Sequence, residues 1–164
     1  MSTRTLLIMF AGLAVVGALI FFMFGVTTGA HLRLEGKILK VRTFQQPGTA
    51  ASLVFVDFRA GNPSDVPFVV DSVQLRLEPA NGETMAASAI SRADTENVFR
   101  YLQLLGPKYN DVLAIRDKVA PHQTLDRMSG ARFEVPEDVV NGRKSLHLVI
   151  TEVDGAVADL TESK

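Results

Sequence analysis

Three histidines, His31, His122 and His147, are the only imidazoles in the chain, so any general-base or metal chemistry resting on histidine must use them. No two of them stand two or four residues apart, and there is no cysteine, so no zinc ligand set can be read from the spacing. His147 lies between Leu146 and Leu148 at the polar parity of a strand-like run, which predicts a solvated side chain. Asp111, Asp117 and Asp126 flank short segments and could hold a hard cation, but no D-x-D-x-D-G loop supports that use. The serines include no G-x-S-x-G elbow, and neither a glycine-rich phosphate loop nor an H-E-x-x-H pair occurs. The expectation is a protein without catalytic, cofactor or metal residues: not an enzyme.

The most suggestive stretch is Phe99-Arg100-Tyr101-Leu102 followed by Lys108-Tyr109-Asn110-Asp111, which holds both tyrosines of the chain. Tyrosine and arginine are enriched at interface anchors. Phe99, Arg100, Tyr101, Lys108 and Tyr109 are therefore the candidate protein-docking surface. The same spacing also suits a helix that covers an open edge or end of a β structure, with Tyr101 packed against it. The two readings are compatible.

These residues need elements to carry them. Ser91 with Asp94 reads as a helix N-cap and first turn, Val98, Leu102 and Leu105 recur at helical spacing, and Gly106-Pro107 stops the run. One amphipathic helix over 91–105 is predicted, inserted in an otherwise β chain. Residues 31–43 read as a strand whose apolar parity switches near Ile38, the mark of a bulge or of a strand passing between sheets. Val54, Val56 and Phe58 define one face of a central strand over 51–60; Leu53 and Phe55 start the other, which turns polar at Asp57 and Arg59. Further strands are predicted over 66–77, 83–90, 124–135 with a break at Gly130, 145–153 and 156–160. Val112, Leu113 and Ile115 suggest a short strand in 108–118, and 137–144 a turn with up to one helical turn. Seven or so short strands separated by Gly, Pro and Asn turns predict a mainly β, antiparallel sandwich, with a β-barrel as the other option.

Ahead of these strands stands Thr5 to Ala30, 26 residues without a charge. About 20 apolar residues cross a bilayer core as a helix, so residues 5–26 are read as a transmembrane anchor. The domains expected are 1–30, a cytoplasmic tip and anchor, and 31–164, an extracytoplasmic β domain. Thr28-Gly29-Ala30 is a passable cleavage site, but the apolar run is longer than a signal peptide's, which favours retention. Arg33, Lys37, Lys40 and Arg42 nominally argue for the opposite topology. They fall in the first strand of a folded domain, and the short N-terminal tail favours N-in. Ala11, Ala14, Ala18 and Gly25 form a small-residue face along the span, the candidate membrane-helix interface.

Arg4 is the single charged side chain before residue 31. The remainder therefore carries 16 of the 17 Lys and Arg and all 18 Asp and Glu, a net charge of −2. That is no footprint for nucleic acid and no polybasic lipid-binding tail. Without cysteine the domain must be stable on its core alone.

Two segments resemble bacterial immunoglobulin-like domains of unknown function that follow a single membrane anchor, and are similar in plan to the late-embryogenesis-abundant, water-stress-type sandwiches. One is VDFRAGNPSDVPFVVDSV within Val54 to Val73, where Asn62, Ser64, Asp65 and Pro67 match the family's turn. The other is Pro121 to Pro136, PHQTLDRMSGARFEVP, where Pro121, Phe133, Val135 and Pro136 match a strand and its stop, with Ala120 where an apolar Leu is usual. The resemblance implies an immunoglobulin-like fold and supplies no active-site residues.

The function expected is a non-catalytic accessory or scaffold subunit of a larger membrane complex in the inner membrane, its C-terminal domain in the periplasm. A photosynthetic reaction centre with its antenna, or a respiratory assembly, is the kind of host. The partners expected are the lipid bilayer and other membrane-protein subunits, with no nucleic acid, small-molecule substrate or cofactor. The alternative is a freestanding envelope- or stress-related binding module.

Overall fold

The computed structural model describes residues 14–18 and 33–162. The chain divides into two units, residues 1–31 and 32–164. Of the first, residues 14–18 are helical and exposed, Ala14 and Ala18 included. The rest of the predicted span, with Ala11 and Gly25, lies outside the described residues. Among the described residues no helix is long and apolar enough to cross a membrane.

The second unit is mainly β, built of two antiparallel sheets. The first has the order β1 (Glu35–Gln45), β2 (Ser52–Gly61), β6 (Thr124–Phe133). The second runs β4 (Met85–Ser88), β3 (Phe68–Glu78), β7 (Ser145–Glu152), β8 (Val157–Thr161), with β5 (Lys118–Val119) paired to the start of β3. The sheets share one core. Val54, Val56 and Phe58 of β2 and Ala131 and Phe133 of β6 pack in the same cluster as Leu75 and Leu77 of β3 and Leu146, Leu148 and Ile150 of β7. Alternation along each strand produces this face, because successive side chains point to opposite sides.

The parity switch in β1 is a bulge. Ile38 pairs with Phe58 and Lys40 with Asp57, so Leu39 is the extra residue. It is 45% exposed. Before it Leu34 points into the shared core; after it Val41 does, and Lys40, Arg42 and Phe44 turn to the outer face.

The Asn62 turn is held by its own side chain. The Asn62 amide donates to the carbonyls of Val66 at 2.7 Å and Val119 at 3.1 Å, and its oxygen accepts from the Ser64 backbone and hydroxyl. Asn62 is buried, so these bonds replace water for four polar groups and tie the β2–β3 turn to β5. At the far end Arg143 and Glu162 form a bidentate pair at 2.6–2.8 Å that closes β8 against the short helix α2 (Glu137–Asn141).

Some predicted details differ. β6 runs unbroken through Gly130. A Cβ there would lie 2.3 Å from the ring of Phe55, its register partner, so the glycine is a space for that ring. Ile115 is exposed and Val112 makes an isolated parallel bridge to Met128, while the strand in this region is the two-residue β5. The helix ends at Tyr101 and a 3₁₀ turn, Gln103–Leu105, completes the insertion.

Gly130→Ala is expected to lose about 1–3 kcal/mol of stability, as overpacked cores do. Phe55→Leu in the same chain should recover part of it. Urea unfolding of the two single variants and the double variant checks this; additive losses would show that ring and glycine are not coupled.

Candidate functional site: an insertion pinned over one sheet

Strand β2 is buried on both faces, so its outer side needs a cover. Residues 91–112 supply it. Leu53, Phe55, Leu105, Val112 and Met128 form a second buried cluster, with Phe44, Ile90, Val98, Phe99 and Leu102 packed against it. The helix α1 (Arg92–Tyr101) starts at Ser91, whose hydroxyl accepts from the Asp94 backbone at 3.1 Å. Gly106, at φ 73°, turns the chain out of the 3₁₀ turn in a region open to few other residues.

A charged pair sits in the middle of this cover. Nη2 of Arg42 donates to Oδ2 of Asp57 at 2.7 Å, with the side chains 7% and 5% exposed. Register places Lys40 directly opposite Asp57 and Arg42 on the diagonal. Nη1 of Arg42 donates to the carbonyls of Leu105 at 3.1 Å and Pro107 at 2.9 Å. The Asn110 amide donates to the other Asp57 oxygen at 2.9 Å. The guanidinium lies 4.7 Å above the Phe99 ring and 5.7 Å from that of Tyr109, and the Lys40 ammonium 5.5 Å from Tyr109. Phe99 meets Phe55 edge-on at 5.0 Å. One ion pair on the sheet thus holds three points of the insertion: the 3₁₀ turn, Pro107 and Asn110.

The five residues expected at a docking surface divide. Phe99 points inward and is part of the base. The reason is helical spacing: with Thr95, Val98 and Leu102 it falls on the sheet-facing side. Lys108 is committed to Glu96 at 3.4 Å and Asp111 at 3.6 Å. Arg100 is exposed, and Tyr101 and Tyr109 stand 75% and 63% exposed. Leu104, 88% exposed, joins them on the insertion. The covering-helix reading is therefore met by Phe99 rather than by Tyr101. From sequence, Arg42 reads only as a charge near the anchor, Asn110 only as part of the stretch Lys108 to Asp111 and Asp57 only as a polar turn of the face, and Leu104 has no assigned role. A charge in the run VFVDF, at the parity of Leu53 and Phe55, is the signal that marks the pair.

The other chemical candidates separate. Asp111 faces Lys108, Asp117 accepts from Arg92 and the Ala114 backbone, and Asp126 pairs with Arg59. Hydrogen bonding from Arg59 holds the Asp126 carboxyl below its ordinary range, and the carboxylate raises the Arg59 guanidinium in turn. Both are open to water, where such pairs add little stability. His122 pairs with Asp65 at 2.9 Å on the surface. Among the described residues no group of three His, Cys, Asp or Glu is placed to hold a metal.

His147 has a more suggestive setting. Ser145 Oγ lies 3.0 Å from its Nε2, and its Nδ1 lies 2.9 Å from Asp159, the order of a nucleophile, base and carboxylate. The Ser145 hydroxyl also lies 3.0 Å from Glu78 Oε2. A carboxylate is the stronger acceptor, so the hydroxyl proton goes to Glu78 and is not shared with the imidazole. The chain Glu78–Ser145–His147–Asp159 laces β3, β7 and β8 across their outer face.

Fold and site together define a mainly β, antiparallel two-sheet domain with a helical insertion pinned over one face. No family model matches the chain, and no curated protein matches it. One solved structure, described as the "X-ray structure of Northeast Structural Genomics Consortium target SoR45", is similar with a TM-score of 0.42 and 12% identity, covering 81% of this chain and 83% of that one. A likeness of that strength bears on neither function nor partner.

Two outcomes are expected from this site. Arg42→Met leaves Asp57 buried and unpaired and should cost about 3–5 kcal/mol, while the Arg42→Met, Asp57→Leu double variant should regain most of it. Equal losses in urea unfolding would remove the ion pair as the pin. Separately, Ser145 should stay unmodified by a fluorophosphonate probe in the folded chain; stoichiometric labelling in the intact mass would establish an activated serine.

Proposed function

We propose that this chain is a non-catalytic accessory or scaffold subunit of a membrane protein complex. In this reading residues 5–26 anchor it in the inner membrane, and an immunoglobulin-like sandwich docks on extracytoplasmic parts of the partner. The observation that carries the proposal is the pinned insertion, which presents Tyr101, Leu104 and Tyr109 to solvent. Large exposed side chains on a fixed base suit docking, because little freedom remains to be lost on binding. Arg100 and Lys40 add cationic donors to the same region. The matched turn at Asn62 and the two-sheet core support the immunoglobulin-like reading. The uncharged run Thr5 to Ala30 supports the anchor, with Ala11, Ala14, Ala18 and Gly25 as its contact face.

Purification of the full chain in mild detergent from its native membrane should recover a stoichiometric membrane partner. A photosynthetic or respiratory assembly is the first place to look. Tyr101→Ala, Leu104→Asp and Tyr109→Ala should each weaken that complex about tenfold, near 1.4 kcal/mol. Tyr101→Ala and Leu104→Asp should shift stability by no more than about 0.5 kcal/mol, as exposed positions do, while Tyr109→Ala also loses its ring contacts with Arg42 and Lys40. Ala14→Leu with Ala18→Leu should disturb assembly through the anchor. A chain that always purifies alone would overturn the subunit reading and leave the freestanding envelope module.

A further inference from the structure

A cleft of about 340 Å³ opens where the edge of β6 faces β5, with Arg92, Lys118 and Arg127 around it and Leu113 and Leu125 as its apolar part. Arg127 is out of place by pattern. It shares its parity with Leu125, Ala131 and Phe133, which face the shared core, and it pairs in register with Phe58. A strand's inner face calls for an apolar residue there.

The charges do not balance inside the cleft. Asp117 is taken by Arg92 at 2.8 Å and by the Ala114 backbone at 2.9 Å. Asp111, also on the lining, turns to Lys108. The Asp126 carboxylate beside Arg127 is held by Arg59 through two bonds of 2.7 and 2.8 Å. Among the described residues the Arg127 side chain makes one hydrogen bond, to the carbonyl of its own neighbour Asp126. Lys118 has no ion pair among the described residues. Two cations, Arg127 and Lys118, therefore face the cleft without a direct ion pair among the described residues, one of them half-buried, although Asp111 and Asp117 also line it.

An inward charge on an edge strand can serve to repel another strand. That purpose is already met here. Ile90 donates to the Gly130 carbonyl, Leu113 to that of Met128, and Met128 to that of Asp111, so the free edge of β6 is covered by the protein's own chain.

We propose that this cleft binds a small oxyanion-bearing ligand, a carboxylate or phosphate compound. Arg127 and Lys118 hold its charge and Leu113 and Leu125 receive a short apolar body. The arginine fork matches two oxygens of either group, and the volume is at the lower end of small-molecule sites. This site is separate from the docking face and does not depend on the subunit reading.

The test uses the full chain in mild detergent, isotope-labelled, titrated with inorganic phosphate and with succinate against sodium chloride at matched ionic strength. Saturable amide shifts confined to residues 111–119 and 125–128 are expected, with a Kd below about 10 mM for one of the two anions. Whichever anion saturates names the ligand class. Arg127→Gln and Lys118→Gln should each weaken binding about fivefold or more, since each removes a charge-assisted donor. Arg127→Lys, which keeps the charge and the fold but loses the fork, should fall between. Arg132→Gln, on the opposite face of β6, should bind like the parent. Shifts that do not saturate, that chloride reproduces, or that persist unchanged in Arg127→Gln and Arg127→Lys would overturn the proposal.

Discussion

The Arg42–Asp57 pair is a small contact on which much of the architecture depends. A ten-residue helix such as α1 is too short to be stable in water by itself. It exists here because the outer face of β2 must be covered and because that cover is fastened at its middle. The guanidinium has more donors than one carboxylate can use: Nη1 reaches the carbonyls of Leu105 and Pro107, while the buried Nε has no hydrogen-bond partner among the described residues. The Leu105 carbonyl closes the 3₁₀ turn, a position that a helix end leaves without an internal partner. The cost of removing a charge from water is thereby offset by bonds that the insertion needs anyway. Phe99 over the guanidinium closes the arrangement from above.

How much of this could be read in the sequence depended on the range of the signal. The faces of β2, the alternation in β3 and β7, the Ser91 cap and the Asn62 turn are local patterns, and each appears where its residues predict it. The bulge was visible because Leu34 and Val41 cannot both point inward without an extra residue between them. The ion pair was not visible, because Arg42 and Asp57 meet only after that bulge has shifted the register of β1 against β2. Gly130 misled for a similar reason. A glycine in a strand reads as a break until the ring opposite it is known. The Ser145–His147–Asp159 chain likewise depends on β7 and β8 pairing in one register, and β5 is too short to leave a periodic trace.

The two sheets treat their outer faces differently. The three-stranded sheet carries Leu53, Phe55 and Met128 outward and is roofed by the insertion. The five-stranded sheet carries Glu78, Ser145, His147 and Asp159 outward, and these satisfy one another at the water boundary. An antiparallel sheet can afford one wet face, and the domain uses that freedom once. The roof in turn presents Tyr101, Leu104 and Tyr109 to solvent.

Leu39 has a consequence beyond parity. β1 is an eleven-residue strand at the margin of its sheet, long enough to template pairing with a second copy of the domain. The extra residue at Leu39 breaks its hydrogen-bonding rhythm near the middle, and Lys37 and Lys40 flank the break. A bulge and lysines on a margin strand are how natural sheets resist edge-to-edge aggregation. The same inserted residue that aims Arg42 at Asp57 therefore helps neighbouring copies remain separate.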